Sequence, residues 1–211
     1  MKIFLISIIF IICSTATIAQ QRTVAECTIT YQILADTTTD KELANALSNS
    51  VKTLYIKGNL SRTDLVTNNY SQSTFVGKDT GTITILRQIG DNKLITYLSN
   101  TKWNQLNSVY DSAVFTQTNE IKKIAGYDCK RMNVLLKNGD TYILYYATAI
   151  TPSVKNFEFL FRKIPGFVLE YEVQQQKGIK VKYTAVKINL SPVSASKMEI
   201  PTTGYRLLNE N

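Results

Sequence analysis

The chain has 211 residues, of which 44% are hydrophobic and 19% are charged, with 9 Gly and 4 Pro. This length and composition are typical of one globular domain and exclude a disordered or collagen-like protein. The chain has no His. That excludes Ser-His-Asp and Cys-His catalysis, an imidazole base and a His-ligated metal within these residues.

Residues 1–20 predict a secretory signal peptide. Lys2 precedes a nearly unbroken apolar stretch over residues 3–12, and Thr17-Ile18-Ala19 has the small-x-small pattern of a cleavage site. The apolar stretch is shorter than the about 20 residues that a spanning helix needs. We therefore predict an exported protein of the periplasm or cell envelope, or a secreted one, that does not span a membrane after cleavage.

The positive charge of the chain does not point to nucleic acid. The formal net charge of +8 becomes +7 without Lys2, with 23 basic against 16 acidic residues. The basic residues are dispersed along the chain, and an exported protein meets no nucleic acid in ordinary circumstances. We expect lipid, a lipoprotein or another envelope protein as the partner class.

Alternation of apolar and polar residues with period two dominates the rest of the chain and predicts strands. The change of phase near Ala185 predicts a β-bulge. Short polar turns such as Asn138-Gly139 join consecutive strands, which favours an antiparallel meander. The predicted strands, about ten or eleven, cover residues 27–33, 51–57, 60–66, 73–76, 82–88, 93–98, 113–117, 129–136, 141–147, 167–173 and 179–190.

Two segments have helical spacing. Thr39 and Glu42 fit a capping box, which predicts a helix over about residues 40–49. Apolar residues from Val154 to Ile164 also fit a helical stripe ended by Pro165, although three alternating Phe in the same segment would suit a strand.

We expect residues 21–211 to form a single, mainly β domain. A long antiparallel sheet with about two helices must curve, and the helices can cover only part of its concave face. The uncovered part would be an apolar groove, the usual place for a small molecule or lipid. Twelve Tyr and eight Phe could line such a groove or simply pack between strands.

Cys27 and Cys129 are the cysteines of the predicted mature chain. An oxidising compartment permits a disulfide between them, which the chain-entropy model values at roughly 4 to 5 kcal/mol. The alternative is two small side chains buried in the core, since both lie in apolar strands.

Glu170 and Glu172 lie on one face of a predicted strand, about 7 Å apart by strand rise. Paired carboxylates at this separation are typical of glycosidases. The opposite face of this strand is the apolar one, so a solvated outer face is the favoured reading. We predict no enzymatic activity, no catalytic residues, no metal and no cofactor.

Three blocks resemble the secreted bacterial GLPGLI family and related exported proteins, with coverage from about residue 25 to 206. The first holds Ala125-Gly126-Tyr127 and Cys129, and the second is Ile164-Pro165-Gly166-Phe167. The third, with Ile200-Pro201 and Gly204-Tyr205, resembles the ending of those proteins and of LolA-type lipoprotein carriers. The resemblance implies a LolA-like curved half-barrel with helices at its mouth, and it carries over no enzymatic residue.

The sequence therefore predicts a non-enzymatic envelope protein that binds a hydrophobic ligand, such as a lipid or acyl chain, in a half-barrel. The alternative is a structural or protein-interaction module without a ligand cavity. The sequence pattern identifies no ligand-binding residue.

Overall fold

The structure is a computed structural model that describes residues 21–35, 41, 45, 47, 49–77, 81–174 and 180–208. The predicted signal peptide lies outside these residues. The strands are β1 (Arg22–Val24), β2 (Glu26–Ala35), β3 (Val51–Lys57), β4 (Leu60–Val66), β5 (Tyr70–Gly77), β6 (Thr82–Ile89), β7 (Asn92–Ser99), β8 (Val114–Ile124), β9 (Tyr127–Leu135), β10 (Thr141–Ala147), β11 (Ile150–Pro152), β12 (Phe167–Gln174), β13 (Lys180–Asn189) and β14 (Arg206–Leu207). The α-helix α1 covers Asn100–Leu106, and short 3-10 helices cover Ser108–Tyr110, Phe159–Phe161 and Ala195–Met198.

Twelve of the described strands form one open sheet in the order β14-β7-β6-β5-β4-β3-β2-β13-β12-β10-β9-β8. All neighbours are antiparallel except β14, which runs parallel to β7. The mainly β, antiparallel prediction is confirmed, and each of the predicted strands is present. The short strands β1, β11 and β14 were not predicted, and β1 pairs with β11 in parallel.

The bulge that the change of phase predicts is also present. The register between β13 and β2 shifts between Ala185 and Lys187. At the far edge, β8 contacts β13 although three strands separate them in the sheet, so β8 folds over the outer face of its neighbours.

The main core lies on one face of the sheet, beneath the segment 150–164. It gathers fully buried side chains from several strands, among them Ile29, Leu54 and Leu144, with Leu160 and Ile164 from the covering segment. A second, smaller core lies on the same face beneath α1, where Trp103 packs against β5, β6 and β7.

The prediction of a helix over 154–164 is wrong. This segment is irregular, with one 3-10 turn over Phe159–Phe161. Phe157, Phe159 and Phe161 are all buried. Since residues two apart point to opposite sides of a helix, one helical face could not bury all three. The segment therefore lacks regular helical hydrogen bonds, and its aromatic rings pack in more than one direction.

Helix α1 was not predicted, and it has no buried residue that would produce an apolar stripe. It begins at Ser99, whose hydroxyl accepts a hydrogen bond from the backbone N–H of Lys102 at 3.2 Å. In the predicted helix over 40–49, Lys41, Asn45 and Leu47 are helical, and most of its other residues lie outside the described part. Within that part, no helix has both the length and the apolar character to cross a membrane.

Candidate functional site

A cavity of about 350 Å³ lies between the sheet and the residues that cover it. We call residues 100–111 and 154–164 the cover. The sheet side of the cavity comes from β3, β4, β5, β12 and β13. The residues that line it are Lys52, Thr63, Leu65, Gln72, Thr74, Trp103, Asn107, Tyr110, Phe157, Glu158, Phe159, Tyr171, Val173 and Tyr183.

A buried lysine is the centre of this site. Lys52 lies on the same side of β3 as the buried Leu54 and Ile56, and the residue is only 7% exposed. Its Nζ donates to Glu158 Oε2 at 2.5 Å and to the hydroxyl of Tyr171 at 2.6 Å. Buried charge is costly unless it is paired. Lys52 therefore fixes the sheet to the cover through an ion pair at a position where the alternation would place an apolar residue.

Two stacked tyrosines complete the surroundings of the ammonium. The rings of Tyr171 and Tyr183 are parallel within 3°, with centroids 4.7 Å apart. Lys52 Nζ lies 5.1 Å from the first centroid and 5.4 Å from the second, which is cation–π distance. Burial raises the pKa of both hydroxyls. They stay protonated at neutral pH, so the site holds neutral phenols rather than phenolates.

The cover is also held together within itself. Arg162 forms a salt bridge with Asp111, and Lys163 Nζ donates to the backbone oxygen of Asp111 at 3.0 Å. The guanidinium of Arg162 lies 3.8 Å from the ring centroid of Phe159, and Phe159 contacts Tyr110. These contacts join the two parts of the cover.

Two lining residues carry buried donors without an acceptor. Thr63 Oγ1 and Trp103 Nε1 are inaccessible to solvent and have no hydrogen-bond partner among the described residues. Leaving a buried donor unsatisfied costs about 1–3 kcal/mol. Natural proteins satisfy most such groups, so this pair marks a place where a polar partner would be favourable.

The site has hydrogen-bond donors, hydrogen-bond acceptors and aromatic faces. Its carboxylate is in an ion pair, and its phenols are neutral. Within the described residues there is no group of three or more Cys, Asp and Glu side chains that could hold a metal ion.

Glu170 is not on a solvated surface, which corrects the favoured reading from sequence. It is 3% exposed, because β8 lies over it. Lys122 Nζ donates to both carboxylate oxygens at 2.8 and 2.9 Å, and Thr184 donates at 2.9 Å. With these partners, Glu170 forms a structural ion pair. Glu172, two residues further along the strand, is partly exposed.

Cys27 and Cys129 are free thiols in the structure, both fully buried in the main core. They match the alternative of two small core side chains. Burial raises the pKa of Cys27 to about 12 and that of Cys129 to about 11. Both are far from a reactive thiolate.

The first resemblance block forms the turn between β8 and β9. Ala125 and Gly126 have φ of 46° and 88°, and Ile124 pairs with Tyr127 across the turn. Positive φ at both central residues is the geometry of a two-residue type I′ hairpin. Among the described residues other than glycine, Ala125 is the one with positive φ. Tyr127 packs against the main core, as does Cys129.

The second block contains a glycine at which two backbone segments approach each other closely. A Cβ on Gly166 would lie 2.1 Å from the oxygen of Ala147 and 2.9 Å from Tyr146 Cδ2, so a larger residue does not fit there. Ile164 and Phe167 on either side are buried in the main core. Pro165-Gly166 therefore serves the packing of β12 against β10.

The third block lies on the outer face of the sheet. Tyr205 packs on the buried cluster Phe75, Leu86 and Ile95, and Gly204 before it has a φ of 83°. Ile200 lines a separate pocket of about 230 Å³ with Leu60, Phe75 and Met198, while Pro201 is exposed. None of the resemblance residues lines the larger cavity.

Sequence reasoning missed every residue of the cavity. A usable signal was present at Lys52, a charge in phase with the apolar Leu54 and Ile56 of a predicted strand. Glu158 and Tyr171 could not be joined to it, because more than 100 residues separate them from Lys52 in the chain.

No family model and no curated protein matches the chain. Among solved structures it is similar to PNGF-II, with 13% identity over 88% of this chain and a TM-score of 0.50. It is also similar to MucB, with 9% identity over 84% of this chain and a TM-score of 0.43, and to MucB solved in complex with MucA(peri), with a TM-score of 0.40. The chain spans 31% of PNGF-II and 58% of MucB. At these identities the likeness to PNGF-II concerns the fold alone.

Proposed function

We propose that this chain is an exported, non-enzymatic protein of the cell envelope that holds a small ligand between its sheet and its cover. The observation that carries the proposal is the cavity around Lys52. Its volume of about 350 Å³ lies within the range of small-molecule sites. The export and the envelope location rest on the predicted signal peptide.

The polar groups of the cavity support a binding role. Replacing a buried ion pair by apolar side chains of similar volume is often nearly neutral, so stability alone gives little reason for a buried Lys. Here Lys52, Glu158 and Tyr171 form a connected group next to open volume. Such a group fixes the position of polar atoms for a ligand to meet.

The residues that line the cavity also change the class of ligand that we expect. The groove predicted from sequence is apolar and suits an acyl chain. The cavity instead mixes rings such as Phe157 and Tyr110 with the polar Gln72, Asn107 and Thr74. A ligand with both polar and apolar surface fits this lining better than a saturated chain does.

We also propose that the open sheet and its cover form a LolA-like half-barrel. This proposal is supported by a sheet that carries its cover on one face.

The test uses the protein produced with its signal peptide and purified from the envelope. Native mass spectrometry should show a bound small molecule that is released on unfolding. Leu65→Phe fills the cavity from β4 and should abolish the extra mass. Val66→Phe is the matched control, since Val66 is 50% exposed and outside the lining. Folded protein without bound mass, and without response to envelope extracts, would refute the proposal.

A second candidate function is a protein-interaction module, and the edge strand β8 favours it. β8 is eleven residues long, lies at the end of the sheet and is mostly exposed, with Ile121 at 63%. An edge of this length can pair with a strand of another protein. Asn119→Pro removes a donor in the irregular stretch of β8, outside its registered pairs with β9. Crosslinking to an envelope protein should be lost in this variant if β8 is the docking edge.

A further inference from the structure

We propose that the cavity binds a neutral carbohydrate of one or two rings. This inference rests on the proposed function and narrows the class of ligand. It follows from three features of the lining: its charge balance, its combination of rings with amides and hydroxyls, and its two unsatisfied donors.

The charge balance disfavours ionic ligands. Lys52 and Glu158 are the charged residues among those that line the cavity, and they neutralise each other at 2.5 Å. A cationic ligand would have to displace the ammonium that already lies against Tyr171 and Tyr183. An anionic ligand would have to compete with Glu158 for Lys52. Displacing the ammonium would leave the buried charge of Lys52 without its partner, which is costly. Displacing Glu158 costs less, because its side chain is 34% exposed, but it still breaks the ion pair.

The shape and chemistry of the lining suit a hydroxylated ring. Trp103, Tyr110 and Phe157 offer flat apolar surfaces, on which the C–H face of a sugar can stack. Gln72 and Asn107 carry both donors and acceptors in one side chain, as hydroxyl groups do. A neutral molecule with alternating apolar faces and hydroxyl edges meets both kinds of surface. Gln72 Nε2 already donates to Thr74, and Asn107 Nδ2 donates to the backbone oxygen of Trp103. A saturated hydrocarbon would cover the remaining hydrogen-bonding capacity of these side chains without using it.

The unsatisfied donors supply the gain on binding. Thr63 Oγ1 and Trp103 Nε1 lack acceptors among the described residues, and both side chains line the cavity. Rotation of the Thr63 side chain toward the open volume would let a ligand oxygen accept its hydrogen bond. The free protein bears the cost of these groups, so a ligand that satisfies them recovers it.

The chain itself provides the probe. Trp103 is the single tryptophan of the sequence and lies in the lining. Its emission is therefore read while the protein is titrated with glucose, galactose, N-acetylglucosamine and lactose. Glucosamine and glucuronate test the charge argument with a similar ring, and laurate tests the acyl chain. At least one neutral sugar should shift the emission in a saturable manner, and the two charged sugars should bind at least tenfold more weakly.

Two valine variants separate binding from stability. Thr63→Val removes the hydroxyl with little change of shape and should weaken sugar binding about five- to tenfold, the loss of one hydrogen bond. Thr96→Val is the matched control: Thr96 Oγ1 is also buried without a partner among the described residues, but Thr96 is outside the lining. Its sugar affinity should equal that of the unchanged protein.

The outcomes distinguish this inference from the proposed function. Saturable sugar binding that Thr63→Val weakens and Thr96→Val leaves unchanged supports the carbohydrate. Binding of laurate or of a charged sugar in preference to every neutral sugar overturns the carbohydrate and leaves a ligand site. No binding of these probes, together with no bound mass in the purified protein, overturns both.

Discussion

Lys52 and Glu158 hold the sheet to the cover by an ion pair, and replacing each partner in turn measures that link. Their side chains are 9% and 34% exposed. In Glu158→Gln, Lys52 keeps a buried charge and loses its carboxylate partner, while the hydroxyl of Tyr171 remains within hydrogen-bond distance. Losing the partner of a fully buried charge costs about 3–5 kcal/mol, so we expect a loss of about 3 kcal/mol in unfolding free energy.

The reverse replacement should cost less. In Lys52→Met, the remaining carboxylate of Glu158 is one-third exposed, and water can solvate it. We expect a loss of about 1–2 kcal/mol, with the methionine filling much of the lysine volume. The double variant removes both charges and should lose only about 1 kcal/mol, because an apolar replacement of a buried pair is often nearly neutral.

Urea unfolding at neutral pH, followed by the emission of Trp103 and by far-UV circular dichroism, measures all three variants. The control is Lys123→Met, because Lys123 and Asp128 are 3.6 Å apart and each 70% exposed. This variant should change stability by less than about 0.5 kcal/mol. The reasoning fails if the two single effects add within about 0.5 kcal/mol, or if Lys52→Met is the more damaging of the two.

Three further predictions concern the sequence blocks and the thiols. Gly166→Ala should cost at least about 3 kcal/mol in thermal or urea unfolding, since its Cβ would meet the oxygen of Ala147 at 2.1 Å; a neutral result would contradict the close approach. Ala125→Gly should stabilise by about 0.5–1 kcal/mol, because Ala is strained at a φ of 46°; a loss of stability would show that the turn differs. Cys27 and Cys129 should resist a thiol reagent at pH 8 in the native protein and both react in denaturant, since burial raises their pKa to about 12 and about 11; fewer than two thiols in denaturant would indicate the disulfide. The unfolded thiols ionise near pH 8.5, and the folded thiols do not. The stabilising contribution of the two buried, protonated thiols is therefore complete below that pH and is lost as the pH rises through their pKa values in the folded protein.

The strands could be predicted because each is a local pattern. β3, β4 and β10 have the predicted bounds, since their alternation is regular and their turns are short and polar. The bulge at Ala185 was visible for the same reason, as a change of phase within one strand. What the alternation does not contain is a partner: β1 and β11 are three residues each and exist only because they meet.

The cavity could not be predicted because it is assembled from distant parts of the chain. α1 has no buried residue, so its amphipathic signal is absent. The cover residues 154–164 contain a helical stripe, but the burial of Phe159 on the other side prevents a helix. The residues that the sequence analysis singled out serve the packing of the fold instead. The two cysteines are buried in the main core, Gly166 allows a close approach to Ala147, and Tyr205 packs on the outer face of the sheet.

The position of β2 in the sheet has a consequence for the order of folding. β2 lies between β3 and β13, so residues 28–35 pair with residues 181–189. This central ladder cannot form until almost the whole described chain is available, and pairings of such high contact order are slow. The strands β3 to β7 can pair early, because each forms a local hairpin with the next strand. The folding polypeptide should therefore pass through a partly folded stage in which the edge of β2 stays unpaired until β13 is available.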